Sequence, residues 1–431
     1  MNQDTKKEEW ISVYENEKNN FISSETIRKQ SLSSFRTLNF PERKTENWKY
    51  TKATPFVEGN YQLSTFNDID IKQIEQFFIN DLQAIQLVFV NGFFSEKLSS
   101  YKNETDGITV LPINKAVEEK KEVFEKYYNS TKISDYDVFN AFNTAFAQNG
   151  AFVEIEKNEE TEKTVYLLFI NTLTSQPTFN QLRNLIVAQP NSKLNVVTSF
   201  HSINEGVNFT NATTEILLKE NAQVQLYCLQ DEKETANILN TKKVIQAKNS
   251  IFGSHSFTHS GNLVRNQMHV DISGENCYTE LNGVFMPINE QVFDINTSII
   301  HLKPNCKSSQ SFRGIANDKA TGTFAGKVFV AKGADKTDAY QSNKNVVLSP
   351  TAKINSKPQL EIYTEDVSCS HGSSTGQLDA EALFYLKSRG ISEDKAKALL
   401  LYAFAGDVLN KIKLEPFRVF VDKIIAKNFG Y

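Results

Sequence analysis

The spacing of apolar residues changes twice along the chain. Up to about residue 150 it is mainly helical. Ser23 and Ser24 precede Ile27, Phe35 and Leu38, which predicts a capped helix that stops before Pro41. Ile71, Ile74, Phe77 and Phe78 repeat at helical spacing. LVFV at 87–90 runs into Asn91-Gly92 and then Phe93-Phe94, the pattern of a hairpin with a type I′ turn. Val138, Phe139, Phe142 and Phe146 predict a further amphipathic helix, with Gly150 as its expected C-cap.

From Ala151 to about Val367 alternation takes over, as in AFVEIEK (151–157), KTVYLLFI (163–170) and KLNVVTSF (193–200). An internal repeat runs through this region: turn-like residues, one small residue, then a strand. The small positions align as Ser192, Ala222, Ser250, Cys277, Cys306, Ala334 and Ala352, at intervals of 30, 28, 27, 29, 28 and 18 residues. A steady period without intervening helices predicts stacked coils of a β-solenoid. Stacking sets each corner about 4.8 Å above the last, so a tight corner admits only narrow side chains. The competing all-β fold, a Greek-key sandwich, has turn signals every 8–12 residues and no whole-coil period.

Helical spacing returns after Cys369. Asp379 to Arg389 begins acidic and ends basic, with Gly390 as the stop. Ser392 is placed to cap a second helix with Ala398, Leu401, Tyr402, Ala405, Val408, Leu409 and Ile412 on one face, and Pro416 opens a third. The expected divisions are a mainly helical region with a small hairpin (1–150), a β-solenoid core (151–368) and a C-terminal helical domain (369–431).

Composition narrows the function classes. The 431 residues carry 47 basic and 51 acidic side chains, a net charge of −4, which argues against nucleic-acid binding by charge. Hydrophobic residues make up 40%, enough for a packed core. The first twenty residues lack the apolar run of a secretory signal and no stretch approaches about 18 uninterrupted apolar residues, so a cytoplasmic protein without a membrane span is expected.

The four cysteines, Cys228, Cys277, Cys306 and Cys369, are too scattered for a disulfide scaffold, and none forms a C-x-x-C pair. Cys277 and Cys306 fall on the small-residue column and Cys228 in an alternating strand, so all three read as packing. Cys369 differs. It stands in DVSCSHGSSTG (366–376), expected between the last strand and the first C-terminal helix, two residues before His371. In extended backbone both side chains face one side, about 6–7 Å apart at Cα. That spacing suits two ligands of one metal or cluster, or a thiol activated by an imidazolium. It equally suits a turn held by Ser and His hydrogen bonds with no chemistry. Two ligands do not complete a zinc or iron–sulfur site, so others would come from across the fold or another chain. His255 and His259 lie about 13 Å apart along a strand; with His201, His269 and His301 they read as structural. No phosphate-binding loop, dinucleotide fingerprint or nucleophile elbow is present.

FPERKTENWKYT (40–51), LNGVF (281–285), FRGIANDKATGTFAGKVFV (312–330), KTDAYQSNKNVVLS (336–349), SKPQLEIYTEDVSCSHGSSTGQLDAEALFYLKSRGIS (356–392) and LLYAFAGDVL (400–409) resemble the SufD family, subunits of the SufBCD iron–sulfur cluster assembly complex. The resemblance implies a mainly β fold with a central right-handed parallel β-helix between helical ends. It implies two partners: the paralogue SufB, docked through the β-helix, and the ABC-type ATPase SufC, held by the C-terminal helices, with Arg389, Gly390, Ile391, Tyr402, Phe404 and Ala405 as candidate contacts. Cys369 and His371 match the family's C-x-H, which implies ligands to iron or a nascent cluster at the SufB interface and no cofactor in the isolated chain. Gly372 after His371, where SufB has Glu, favours SufD; Ser368 departs from the basic residue common before the Cys and weakens thiolate activation. The implied function is a non-catalytic scaffold in cluster assembly. The alternatives are a β-helix enzyme acting on polysaccharide, which needs grouped carboxylates or a basic residue, and a thiol hydrolase using Cys369 with His371 as base.

Overall fold

The computed structural model describes residues 3–17, 21–22, 24–101, 104–105 and 107–429. Successive strands alternate between two sheets, and each pairs in parallel with the strand two places on. Eight coils result, from Ala151–Ile155 with Thr164–Thr172 to Lys353–Ile362 with Val367–Gly376. This is the expected β-solenoid; a Greek-key sandwich would pair its strands antiparallel.

The corners explain the repeat. Strands opening at Lys193, Gln223, Ile251, Tyr278 and Lys307 stand in register. The preceding residues, Ser192, Ala222, Ser250, Cys277 and Cys306, therefore stack as one column, each at most 2% exposed. Before each comes an asparagine in the left-handed region: Asn191, Asn221, Asn249, Asn276 and Asn305, with φ between 57° and 61°. Asparagine tolerates this conformation better than other side-chain-bearing residues. Its amide also reaches the next coil: Asn191 donates to Asn158, Asn221 to Asn191, Asn249 to Asn221 and Asn276 to Asn249, at 2.7, 2.7, 2.9 and 3.2 Å.

Two expected members of the column are elsewhere. Lys307 pairs with Asp338, so Thr337 takes the place expected for Ala334. His301 also pairs with Val330, so the corner is residues 302–306 in one coil and 331–337 in the next, two residues longer. Ala352 precedes Lys353 at a corner of the other sheet, beside Ala320.

Each outer face is covered by one end of the chain. Over the first sheet, whose coil strands run from Ala151–Ile155 to Lys353–Ile362, lie the helices Gln3–Glu17, Glu25–Thr37 and Val138–Phe146; those of the second run from Thr164–Thr172 to Val367–Gly376. Trp10 stacks on Phe142 at 4.4 Å, and Phe179 and Phe209 of the sheet join the same cluster. Two buried arginines pin this layer. Arg183 pairs with Glu215 at 2.7 Å, and Glu215 also accepts the Asn129 and Thr131 amides. Arg265 pairs with Asp294, donates to the Asn47 carbonyl at 2.7 Å and lies 3.9 Å over the Trp48 ring. Over the second sheet lie Glu393–Leu409 and Glu415–Phe429, where Leu401, Ala405, Phe417 and Val421 meet Tyr227, Phe257 and Val284.

Local expectations fare unevenly. The hairpin forms, with Asn91 and Gly92 at φ 53° and 87°. Ser24 caps the second helix through the Ile27 amide, while Ser23 lies outside the described residues. Residues 71–77 form two single 3₁₀ turns, the first closed by a capping box from Asp70 and Gln73, and no α-helix. Gly150 is not a C-cap: the helix ends at Phe146 and Ala147 has already left the helical conformation. Gly150 instead allows close approach, since a Cβ there would fall 1.9 Å from the Arg183 carbonyl oxygen. Gly390 does end its helix, at φ 82°, and Asp379 caps that helix, whereas the Ser392 side chain makes no cap bond.

The asparagine corner yields a test. Asn249→Ala keeps a Cβ in the left-handed region and loses both ladder bonds, and is expected to cost about 1–2 kcal/mol in urea denaturation. Asn249→Gly loses only the ladder and should cost less than half as much; equal losses would place the whole effect in the amide bonds.

Candidate functional site

Cys369 and His371 lie inside the last strand, Val367–Gly376, which continues the solenoid through the segment expected to link strand to helix. Extended backbone puts both on one side, as the spacing required. The strand pairs only with Thr337–Val347, Cys369 opposite Ala339 and His371 opposite Gln341. Its other edge, like that of Lys353–Ile362, faces no strand among the described residues.

Ala339 and Gln341 are buried between the sheets, so the lumen is the side that Cys369 and His371 face. Cys369 packs with Val328, Val330, Ala334 and Ala339 and is half-buried. His371, at the uncovered mouth, is exposed, and beneath it neither side-chain polar atom of Gln341 has a partner. Ser373, the next inward residue, meets the Ser356 hydroxyl at 2.7 Å, and Ser356 donates to Asn343 at 2.6 Å. The mouth is thus a polar rim holding one thiol and one imidazole.

Burial raises the Cys369 thiol pKa above its ordinary value, Asp338 raises it further, and a bond from the Ala339 backbone opposes them. Within this chain the thiol is therefore protonated at neutral pH, which argues against the activated-nucleophile alternative. No group of three His, Cys, Asp or Glu side chains lies close enough to hold a metal ion among the described residues. Cys369 and His371 supply two potential donors, fewer than a zinc or iron–sulfur site needs.

The other cysteines are buried. Cys277 and Cys306 sit in the corner column, their thiols donating to the Ala247 and Gly274 carbonyls at 3.0 and 3.3 Å. His255 stacks on the Tyr227 ring, and His301 meets the Ser308 hydroxyl at 2.9 Å. Burial lowers His255 and His301 to about 4, so both are neutral at pH 7. Sequence spacing missed one cluster: Asp231 accepts from His259 at 2.8 Å and faces His201 at 3.6 Å, because stacking superimposes residues about 30 apart.

The candidate partner residues on the C-terminal helices divide into two groups. Arg389, Gly390 and Tyr402 are exposed and Ile391 is half-buried. Ala405 is fully buried against the solenoid, and Phe404 is half-buried beneath the Arg313 guanidinium at 5.8 Å. Helical periodicity placed Tyr402 and Ala405 on one face, but the tertiary contact takes Ala405 inward. The first C-terminal helix, Ala380–Ser388, buries no residue and presents Phe384 and Tyr385, 74% and 56% exposed, which sequence reasoning did not single out. Arg389 covers the Tyr385 ring at 5.2 Å.

Family models match in tandem: the SufBD protein N-terminal region over residues 5–167 and the SufBD core domain of the SUF iron–sulfur cluster assembly system over 169–404. The chain belongs to the SufBD family of that system. It is 30% identical to a SufBD family iron–sulfur cluster assembly protein of Synechocystis, over 88% of this chain and 85% of that one. It is 29% identical to the iron–sulfur cluster assembly protein SufD of Escherichia coli, over 90% and 88%, and 25% identical to SufD of Bacillus subtilis, over 90% of each. No helix among the described residues is long and apolar enough to cross a membrane.

The thiol makes a checkable prediction. Alkylation of Cys369 by iodoacetamide in the intact chain, followed site by site by mass spectrometry, should rise with pH through a midpoint above that of free cysteine. Asp338→Asn should lower that midpoint; a wild-type midpoint below free cysteine would reverse the assignment.

Proposed function

We propose that this chain is a non-catalytic scaffold subunit for iron–sulfur cluster assembly in the cytoplasm, pairing with SufB and docking the ATPase SufC. One observation carries the reading: Cys369 and His371 face one side of an end strand whose outer edge has no strand partner among the described residues. An unpaired parallel edge offers a row of free N–H and C=O groups, the natural seat for the edge of a second β-helix. A paralogue docked there would bring the missing ligands to the same mouth, and iron or the nascent cluster is then the substrate held between the subunits. Contact with a metal also removes the obstacle of the raised thiol pKa, because a coordinating thiol is deprotonated.

SufC is assigned to the helical face of Phe384, Tyr385, Arg389, Gly390, Ile391 and Tyr402. Exposed aromatics beside an arginine are the composition of an interface anchor. ATP hydrolysis belongs to that partner, since this chain has no phosphate-binding loop. Phe404 and Ala405 act on the other side of the helix, seating it on the sheet.

The polysaccharide-enzyme alternative has little to stand on. Glu215, Asp271 and Asp294, carboxylates on the outer face of the first sheet, are each tied to a basic residue, Arg183, Lys243 and Arg265.

Co-expression with SufB and SufC separates the roles. Phe384→Asp should leave the chain folded and paired with SufB but lose co-purifying ATPase. Ala405→Arg should lower stability first, because it forces a charge into a packed contact. Cys369→Ala and His371→Ala should leave the complex assembled and reduce cluster loading measured by iron and sulfide content. Full loading in the double variant would remove both residues from the site.

A further inference from the structure

A lysine inside the solenoid points to a second, separate site. In Ala236–Gln246 the inward positions include Ile238 and Val244, which belong to the core between the sheets. Thr241 and Lys243, on the outer face, bond Gln267 and Asp271. Lys242 therefore points inward, and it is only 5% exposed. Among the described residues it makes no hydrogen bond or ion pair. The surrounding carboxylates are engaged elsewhere: Asp271 by Lys243 at 2.6 Å, Asp231 by His259 at 2.8 Å, and Glu232 by Asn171 and Gln230 at 2.6 and 2.8 Å.

Lys242 lines a cavity of about 40 Å³ between the two sheets. Asn240 lies beside it on the same sheet, and Cys228, Ser254 and Ser256 face it from the other. The Ser256 hydroxyl is used by the Asn282 carbonyl at 3.3 Å. Asn240 and Ser254, 3% and 4% exposed, make no side-chain hydrogen bond among the described residues. Three potential donors thus line one small space: an ammonium, an amide N–H and a hydroxyl. A buried ammonium without a counter-charge is strongly unfavourable, and water alone does not neutralise it.

We propose that this lumen cavity binds a small monovalent anion of halide size, held by Lys242, Asn240 and Ser254. Size and charge set the class. A water needs roughly 10–15 Å³ of such space, so the cavity takes one monatomic anion with a water or two. A single cation neutralises one negative charge, which disfavours sulfate and phosphate.

Crystals of the full chain grown with bromide as the only halide test this by anomalous scattering at the bromine edge. A peak is expected between the sheets within about 3.5 Å of the Lys242 Nζ. The thermal midpoint should also rise with bromide relative to gluconate at equal ionic strength. Lys242→Met keeps the side-chain length and should lose both the peak and the bromide dependence; if it does not fold, Ser254→Ala should lower the peak occupancy. No lumen peak in wild-type crystals, bromide on the outer surface as an adventitious ion only, or a lumen peak that survives Lys242→Met would each overturn the proposal.

Discussion

Register is the constraint from which the rest of this molecule follows. In a parallel stack every residue lies above its counterpart one coil away, so a conformational demand at one corner is repeated at each corner. The left-handed residue shows this most clearly. Five consecutive corners meet the demand with asparagine, and in four of them, Asn191, Asn221, Asn249 and Asn276, the same side chain then donates along the axis. The backbone requirement and the inter-coil bond select the same amino acid. Where the corner gains two residues, at 331–337, Lys336 takes the left-handed position and the asparagine column ends.

A stack also has ends, and its two ends are treated differently. At the first, short antiparallel pairings close the sheets: Phe93–Phe94 on Ala84–Val90, and Ile108–Pro112 on Ala151–Ile155. At the last, Lys353–Ile362 and Val367–Gly376 have no further strand beside them among the described residues and are left with bare edges. Isolated proteins usually blunt such edges with charge, proline or a bulge. Here the last strand reads VSCSHGSSTG, with neither proline nor a charged side chain apart from its histidine. Its composition is that of an edge left available, and it carries the one cysteine that is not fully buried.

How much of this was legible in the sequence depended on the range of the interactions involved. The coil period, the hairpin and the helix ends at Asp379 and Gly390 are local, and sequence pattern identified them. The column failed at Ala334 and Ala352 because spacing cannot distinguish a longer corner from a later one. The side-by-side placement of Cys369 and His371 followed from two-residue periodicity once the backbone was extended; their position at a bare edge follows only from the count of coils. Asp231, His201 and His259 meet across coils, and no linear motif records that. Ala405 and Phe384 exchanged roles for a related reason: the helix carrying Ala405 is apolar on several sides, and only the sheet it meets decides which side is covered.

The two halves of the proposed function share one sheet. Arg313, on the outer face of Lys307–Ala316, pairs with Asp407 at 3.2 Å and covers Phe404, while Lys411 reaches Glu280 at 3.3 Å one strand away. Lys307–Ala316 pairs with Thr337–Val347, which pairs with the strand of Cys369 and His371. The helical face and the strand of Cys369 and His371 are therefore joined by two continuous ladders of hydrogen bonds. A parallel ladder resists sliding, because a shift of one residue would turn every inward side chain outward. Force applied at the helices would reach the last strand as movement of a body and not as slippage within it. On that reading the solenoid serves as a lever, and the compliant element is the bare edge at which a second subunit would sit.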